Sequence, residues 1–456
     1  MQIVWKDHTS EKTYDRARWN NVFNLERPNC FPRAMISATG TEDVVSAIKL
    51  AAQQEKCQVA VRSGGHSMFV WSLHEDSMLI DLGNWKEITV DADAKIARVT
   101  TSVTGLELSR YLRTKHQLFF PTGHCPDVAI GGFLLQGGQG WNCRNWGYAC
   151  DLLVGVEIVT AEGDVLFCNQ HENQDLYWAA RGAGPLFPAV VTKFHLQLLP
   201  DPTTGLRSSG YIYPAKMYRQ AFEWVQSVIP NADQDTEIVM VAFYSEARDE
   251  VCFKVHFVTM KADAVAAEHA LKQLHQGRPP GAITEWISQE DSLDHLFDDQ
   301  RMANPPSHYY YTDNSFISNE VDVTGVLEES FLTLPPGKSF AFWYPMYPRS
   351  RRSGSDMALR VPSDHYFSMY AIAEDREDVT RCKMWVERTM EKIRESAVGS
   401  YLGECDLKLP HNWYWAKDTV QRLTAIRQKW DPRGLFCTVH GDPGGQGVET
   451  ILQEGR

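Results

Sequence analysis

Arg62-Ser63-Gly64-Gly65-His66-Ser67 brings a cation, small residues and an imidazole into six consecutive positions. Successive small residues let backbone N–H groups converge on a concave nest of the kind that holds a pyrophosphate, and Arg62 would add charge. A tight surface turn explains the same run equally well. A second cluster starts at Gly123-His124-Cys125-Pro126 and continues through Gly131-Gly132, Gly137-Gly138 and Gly140. A third is Arg181-Gly182-Ala183-Gly184. Glycine gathers where backbone takes positive φ or approaches another group closely. Three backbone-presenting segments in one region suit a long dinucleotide better than a small metabolite. The common nucleotide and metal signatures are missing: there is no G-x-x-x-x-G-K-[ST], no G-x-G-x-x-G after a first strand and no H-E-x-x-H. No metal is expected.

The elements that must position these loops follow from periodicity. Residues 41–54 have Val44, Val45, Ile48, Ala51 and Ala52 at helical spacing, with Thr41 as the expected N-cap. Strands are predicted at 58–62, 77–82 and 96–100. Thr104 and Glu107 form a T-x-x-E capping box that opens a helix running to about Lys115. Residues 152–160 and the VLFC run read as a hairpin across AEGD. DPTTG at 201–205 reads as a linker. Beyond it, glycine thins out, and helices near 214–229 and 261–275 alternate with apolar strands. Residues 309–370 hold 13 aromatics in 62 positions, about twice the chain average of 11%. They suit a sheet face lining a pocket, or a plain core. A last helix is predicted at 416–430, with Val420, Leu423 and Ile426 inward, stopped by Pro432 and Gly434. The pattern argues an α/β or α+β fold.

Composition limits the alternatives. The chain has 456 residues, 43% hydrophobic and 23% charged, ample for sizeable cores and against disorder. Asp and Glu outnumber Lys and Arg 58 to 45, a net charge of −13, which disfavours nucleic acid and anionic membrane surfaces as partners. None of the ten cysteines forms C-x-x-C. The N-terminal segment shows no apolar signal region and no stretch approaches the length of a membrane span. A cytoplasmic protein with reduced thiols is therefore expected.

The order RSGGHS, then G-x-C-P-x-V-x-x-GG-x-x-x-x-GG-x-G, then a hairpin, then RGAG and VVTKF resembles the FAD-binding half of berberine bridge enzyme-like oxidases. These belong to the vanillyl-alcohol oxidase / p-cresol methylhydroxylase (PCMH) superfamily. The C-terminal YWAKDTVQRLTAIRQKWDPRGLF resembles the family's closing helix. The resemblance covers roughly 30–200 and 410–440; the middle third matches only in layout. It implies a two-lobed PCMH-type FAD-binding domain formed by 1–203 and the returning segment 401–456. It also implies a substrate domain over 204–400, an antiparallel sheet flanked by helices.

Residue by residue, the resemblance implies covalent FAD. His66 falls where the family attaches the flavin through its 8α-methyl, and Cys125 where some members add a bond at C6. Taken alone, a loop His is a polar turn residue and a lone Cys a small buried hydrophobe. Ser63, Gly64, Gly65 and Ser67 would cradle the pyrophosphate, with Arg62 beside them. Gly131, Gly132 and Gly138 would admit the ribityl chain or ring. Val190 and Val191 would lie near the adenine, and Val128 beside the flavin, where a small residue favours oxygen as the acceptor. His124 has no assigned role. The register of Asn412-Trp413-Tyr414-Trp415 against the family's flavin-touching Asn and Tyr is not fixed.

The resemblance implies hydride transfer from a C–H beside a hydroxyl or amine of a small-molecule substrate, with molecular oxygen reoxidising the flavin to give hydrogen peroxide. Such chemistry needs a base for the O–H or N–H proton. A tyrosine with lowered pKa on a pocket strand would serve: Tyr344, Tyr366 or Tyr370, each of which could equally be packing. Glu374 and Asp364 read as solvated face charges. A flavin dehydrogenase with poor oxygen reactivity, or a flavin-binding module without turnover, remains an alternative.

Overall fold

Short apolar runs in the first eighty-one residues form strands that need one another to be buried. In the computed structural model, which describes residues 1–352, 356–404 and 414–438, Ala34–Ser37 and Val59–Arg62 flank Met78–Asp81 in parallel. Gln2–Trp5 adds antiparallel to Ala34–Ser37. The helix Thr41–Ala52 covers this sheet with Val44, Ala47, Ile48 and Ala51. Its N-cap is Gly40 rather than Thr41, without a side-chain capping bond. Asp43 instead accepts from the Thr39 N–H at 3.0 Å, two residues before the expected cap.

A second, fully antiparallel sheet orders its strands Ile88–Asp91, Ile96–Thr100, Val190–Gln197, Leu153–Val159 and Val165–Cys168. The last two are the expected hairpin. The helix Gly105–His116 starts on the expected capping box: Thr104 Oγ1 accepts from Glu107 N–H at 3.3 Å, and Glu107 Oε2 from Thr104 N–H at 2.8 Å. Leu108 and Leu112 of this helix share one core with Val156, Ile158, Phe194 and Leu196 of the sheet.

The third large sheet has eight antiparallel strands, in the order Thr284–Glu290, Arg207–Pro214, Glu250–Thr259, Thr236–Ser245, Phe340–Pro345, His365–Ala373, Tyr309–Ile317 and Ala397–Gly399. Four helices cover one face: Tyr218–Val228, Ala264–Leu274, Val323–Leu332 and Arg376–Ile393. The first two begin later than their periodicity predicted. Pro214 still belongs to a strand, and Asp263 Oδ1 caps the second by accepting from Val265 N–H and Ala266 N–H at 2.8 and 3.2 Å. Ile238, Met240 and Ala242 point into the helices, as do Ala341 and Trp343. Side chains alternate along a strand, so Val239, Val241 and Phe243, with Phe340 and Phe342, take the opposite face. The aromatic-rich segment is thus shared between a core and a free face.

The helix Lys417–Trp430 buries Leu423 and Ile426 in the core of the five-stranded sheet, with Val420 half-buried beside them. Asp431 then accepts from the Leu435 and Phe436 N–H groups at 2.7 and 3.0 Å. This turn lays Phe436 parallel to Val59, with the Val59 N–H donating to Leu435 O at 2.7 Å. Asn412 and Trp413 lie outside the described residues, as does Cys405. Cys57, Cys125, Cys143, Cys150, Cys168, Cys252, Cys382 and Cys437 form no disulfide. Among the described residues no helix is long and apolar enough to cross a membrane, and no group of three or more His, Cys, Asp or Glu could hold a metal ion.

Candidate functional site

The free face of the eight-stranded sheet closes a cavity of about 790 Å³ whose other walls are the glycine-rich loops. Residues 59–68, with others from 123–141 and 184–191, line it from one side, and residues from 237–256 and 337–344 from the other. Ser63, Gly64, Gly65, His66 and Ser67 all line it. So do Cys125, Val128, Gly131, Gly132, Val190 and Val191. Gly65 has φ +69°, and a Cβ there would sit 2.1 Å from the Asn21 carbonyl oxygen, so no larger residue fits the turn. A Cβ on Gly131 would lie 2.4 Å from Ser63 Oγ. These two glycines let the loop pack closely on Asn21 and on the helix Ile130–Leu135 at the cavity wall.

Three expected roles change. Arg62 also lines the cavity, but its guanidinium is buried against Asp81 at 2.7 Å and donates to the Arg18 and Ala17 carbonyls at 2.7 and 2.8 Å. Its charge is already neutralised by Asp81, so it anchors the loop rather than adding charge to a pyrophosphate. Gly138 lies outside the lining. Its N–H donates to Tyr401 Oη at 3.1 Å, and its φ of +82° serves a turn packed on Phe133 and Ala149. In the third cluster only Gly184 reaches the cavity. Gly182 is packed against the backbone of Leu359.

His66 stacks on Phe23, with ring centroids 4.0 Å apart and planes 19° apart. Its buried Nε2 lies 3.3 Å from Asp127 Oδ1 but makes no aligned hydrogen bond. Burial alone would raise the Asp127 carboxyl; His66 brings it below its ordinary value. The ring lines the cavity with a nitrogen that no aligned hydrogen bond occupies. Cys125 differs. Burial first, and then the charges of Asp127 and Glu404, push its thiol well above the ordinary value. The environment opposes the thiolate that a carbon–sulfur bond requires.

The tyrosines do not meet the expectation of a lowered pKa. Tyr344 and Tyr370 line the cavity and Tyr366 does not. Burial pushes all three phenols well above their ordinary value, and neighbouring acids add to it. Tyr366 donates to Glu404 Oε2 at 2.7 Å, and Tyr370 stacks on Phe340 at 4.7 Å. Glu374 is an exposed partner of Lys338, as a surface charge should be. Asp364 is instead held by Arg351 at 2.7 Å.

Glu237 was not anticipated. It is the one acid on a strand face otherwise made of Val239, Val241 and Phe243, and its partner His124 is 113 positions away. The polar break in an apolar alternation was the only signal in the sequence. Burial would raise the Glu237 carboxyl, but His124, the Asn142 N–H and the Tyr344 hydroxyl together hold it below its ordinary value. Towards another part of the lining, burial lowers Lys254 and holds His256 well below the ordinary histidine range.

The likeness to known proteins agrees with this architecture. A family described as FAD binding domain matches residues 32–169. The FAD-linked oxidoreductase janO of Penicillium janthinellum is 37% identical over 438 residues, covering 95% of this chain and 96% of that protein. The solved structure of BBE-like 1 from Physcomitrella patens superposes with a TM-score of 0.83 at 20% identity, over 96% of each chain. That of berberine bridge enzyme from Eschscholzia californica gives 0.80 at 19% identity, again over 96% of each. These two likenesses concern the fold.

Proposed function

Because the chain belongs to the berberine bridge enzyme-like FAD-linked oxidoreductases, with their PCMH-type FAD-binding fold, we propose that it is an oxidase carrying covalent FAD. Its donor is a fairly large molecule with a C–H beside a hydroxyl or amine. The observation that carries this reading is the shared cavity, walled by the glycine-rich loops on one side and an apolar sheet face on the other. The loop 63–67 would hold the pyrophosphate with backbone N–H groups, Gly131 and Gly132 would admit the ring system, and Val190 and Val191 would border the adenine. His66 would bond the flavin. Cys125 would add a second bond, the more demanding one, since its thiol must lose a proton against burial. When bound, FAD supplies a two-electron acceptor that oxygen restores with release of hydrogen peroxide. Val128 leaves room for that oxygen.

The chain's own contribution is to bind, orient and keep water out. Val239, Val241, Phe243, Phe340 and Phe342 offer the donor an apolar bed, which supports an alcohol or amine on a bulky apolar frame over a sugar. In this reading residues 1–203 and 401–456 form the FAD-binding domain and 204–400 the substrate domain.

The test begins with colour. Purified protein is expected to be yellow, to keep its flavin through acid precipitation, and to yield flavinylated peptides containing His66 and Cys125 by mass spectrometry. His66→Ala should release most of the flavin on precipitation. A colourless protein that takes up no added FAD would overturn the assignment. Sluggish reoxidation in air after anaerobic bleaching would mark a dehydrogenase, and no bleaching by any donor a flavin-binding module.

A further inference from the structure

His124 and Glu237 meet at the cavity wall, His124 Nε2 lying 3.1 Å from each carboxylate oxygen. The Glu237 side chain is only 4% exposed. It accepts two more hydrogen bonds, from the Asn142 N–H at 2.6 Å and the Tyr344 hydroxyl at 2.9 Å. An ionised carboxylate can only accept, so the hydrogen between the two side chains sits on Nε2. A neutral ring held in that tautomer carries its lone pair on Nδ1. Trp141 packs on the ring at a centroid distance of 4.3 Å and limits its rotation. His124, Glu237 and Tyr344 all line the cavity, and Cys125 follows His124 directly.

We propose that His124 is the catalytic base, with Glu237 as its positioning residue. The assignment rests on the flavin-oxidase reading above. FAD, held by the glycine-rich loops, would supply the acceptor for the donor's C–H hydrogen and its electron pair. The O–H or N–H proton passes to His124 Nδ1, and the electron pair it leaves behind closes the C=O or C=N bond. Glu237 balances the charge of the imidazolium, as a buried carboxylate does for a histidine base elsewhere. Tyr344 and Asn142 keep the carboxylate fixed. The phenols, raised by burial, need not ionise.

The test uses the holoprotein and two variants, His124→Asn and Glu237→Gln. With ¹⁵N-labelled histidine, the resonances lost in His124→Asn identify the ring. The wild type should show it as the Nε2–H tautomer, and Glu237→Gln should shift that signal. An Nδ1–H tautomer, or a signal indifferent to Glu237→Gln, would overturn the proposal without any donor being known. The second readout is anaerobic flavin bleaching by a panel of primary and secondary alcohols and amines of increasing apolar size. His124→Asn should slow it by about 10²–10⁴-fold. Glu237→Gln should slow it less and move the pH profile. Bleaching by His124→Asn within about threefold of wild type would refute a base role. Flavin content, and air reoxidation after dithionite reduction, should be unchanged in both variants. A protein without flavin would fail on those controls, which separates loss of the oxidase assignment from loss of the base.

Discussion

Glu237 accepts from His124, the Asn142 N–H and Tyr344 while almost completely withdrawn from water. Its folded-state pKa lies below that of the unfolded chain, so in the window between the two values the unfolded state binds more protons. The stability it contributes is therefore fully present above the unfolded value and is lost as pH falls through the folded one. Thermal melts of wild type and Glu237→Gln should differ most near neutral pH and converge in acid; a gap that stays constant across the range would contradict this. At this scale the sequence disclosed chemistry only where residues adjoin. RSGGHS and the Cys125 region carry their own spacing; all of the first lines the cavity, and so do Gly123, Cys125, Val128, Gly131 and Gly132 of the second. Glu237 and His124 acquire meaning only from a contact made across the fold. Arg62 was misjudged for the same reason, since its partner Asp81 comes from a neighbouring strand.

Helix starts show how far local signals reach. Thr104 and Glu107 satisfy each other's neighbouring N–H groups, a reciprocal arrangement that sequence spacing alone specifies. Thr104→Ala should lower stability by about 1 kcal/mol, seen as a small drop in melting temperature with flavin content intact; no drop would mean that the contact between Glu107 and Lys86, at 2.7 Å, suffices to hold the first turn. Thr41 had no such reciprocal partner, and Gly40 takes the N-cap instead. Strands were visible as apolar runs and hairpins as short turns. Their order in the eight-stranded sheet was not, because the pairing of Thr236–Ser245 with Phe340–Pro345 joins segments about a hundred residues apart.

On the scale of the whole molecule, Gly182 joins three distant segments. Leu359 N–H donates to Arg181 O at 2.9 Å, and Trp415 Nε1–H donates to Gly182 O at 2.9 Å. Gly182 has φ +123°, and a Cβ there would stand 2.3 Å from the Leu359 backbone nitrogen. Gly182→Ala should therefore cost at least about 1–3 kcal/mol in strain alone and loosen both attachments, read as a lower melting temperature and earlier proteolysis near Leu359; an unchanged melting curve would show that the junction yields freely. Sequence reasoning marked this glycine as an approach to a ligand, when the group it approaches is its own chain. The eight-stranded sheet has a different consequence. One strand serves both a helix-packed core and the cavity, so adjacent codons answer to different selection. On the reading proposed above, exchanges at Val239, Val241 or Phe243 would reshape what the enzyme accepts, while Ile238, Met240 and Ala242 between them keep the fold. A lineage built on this sheet can change its diet by point mutation without first having to survive instability.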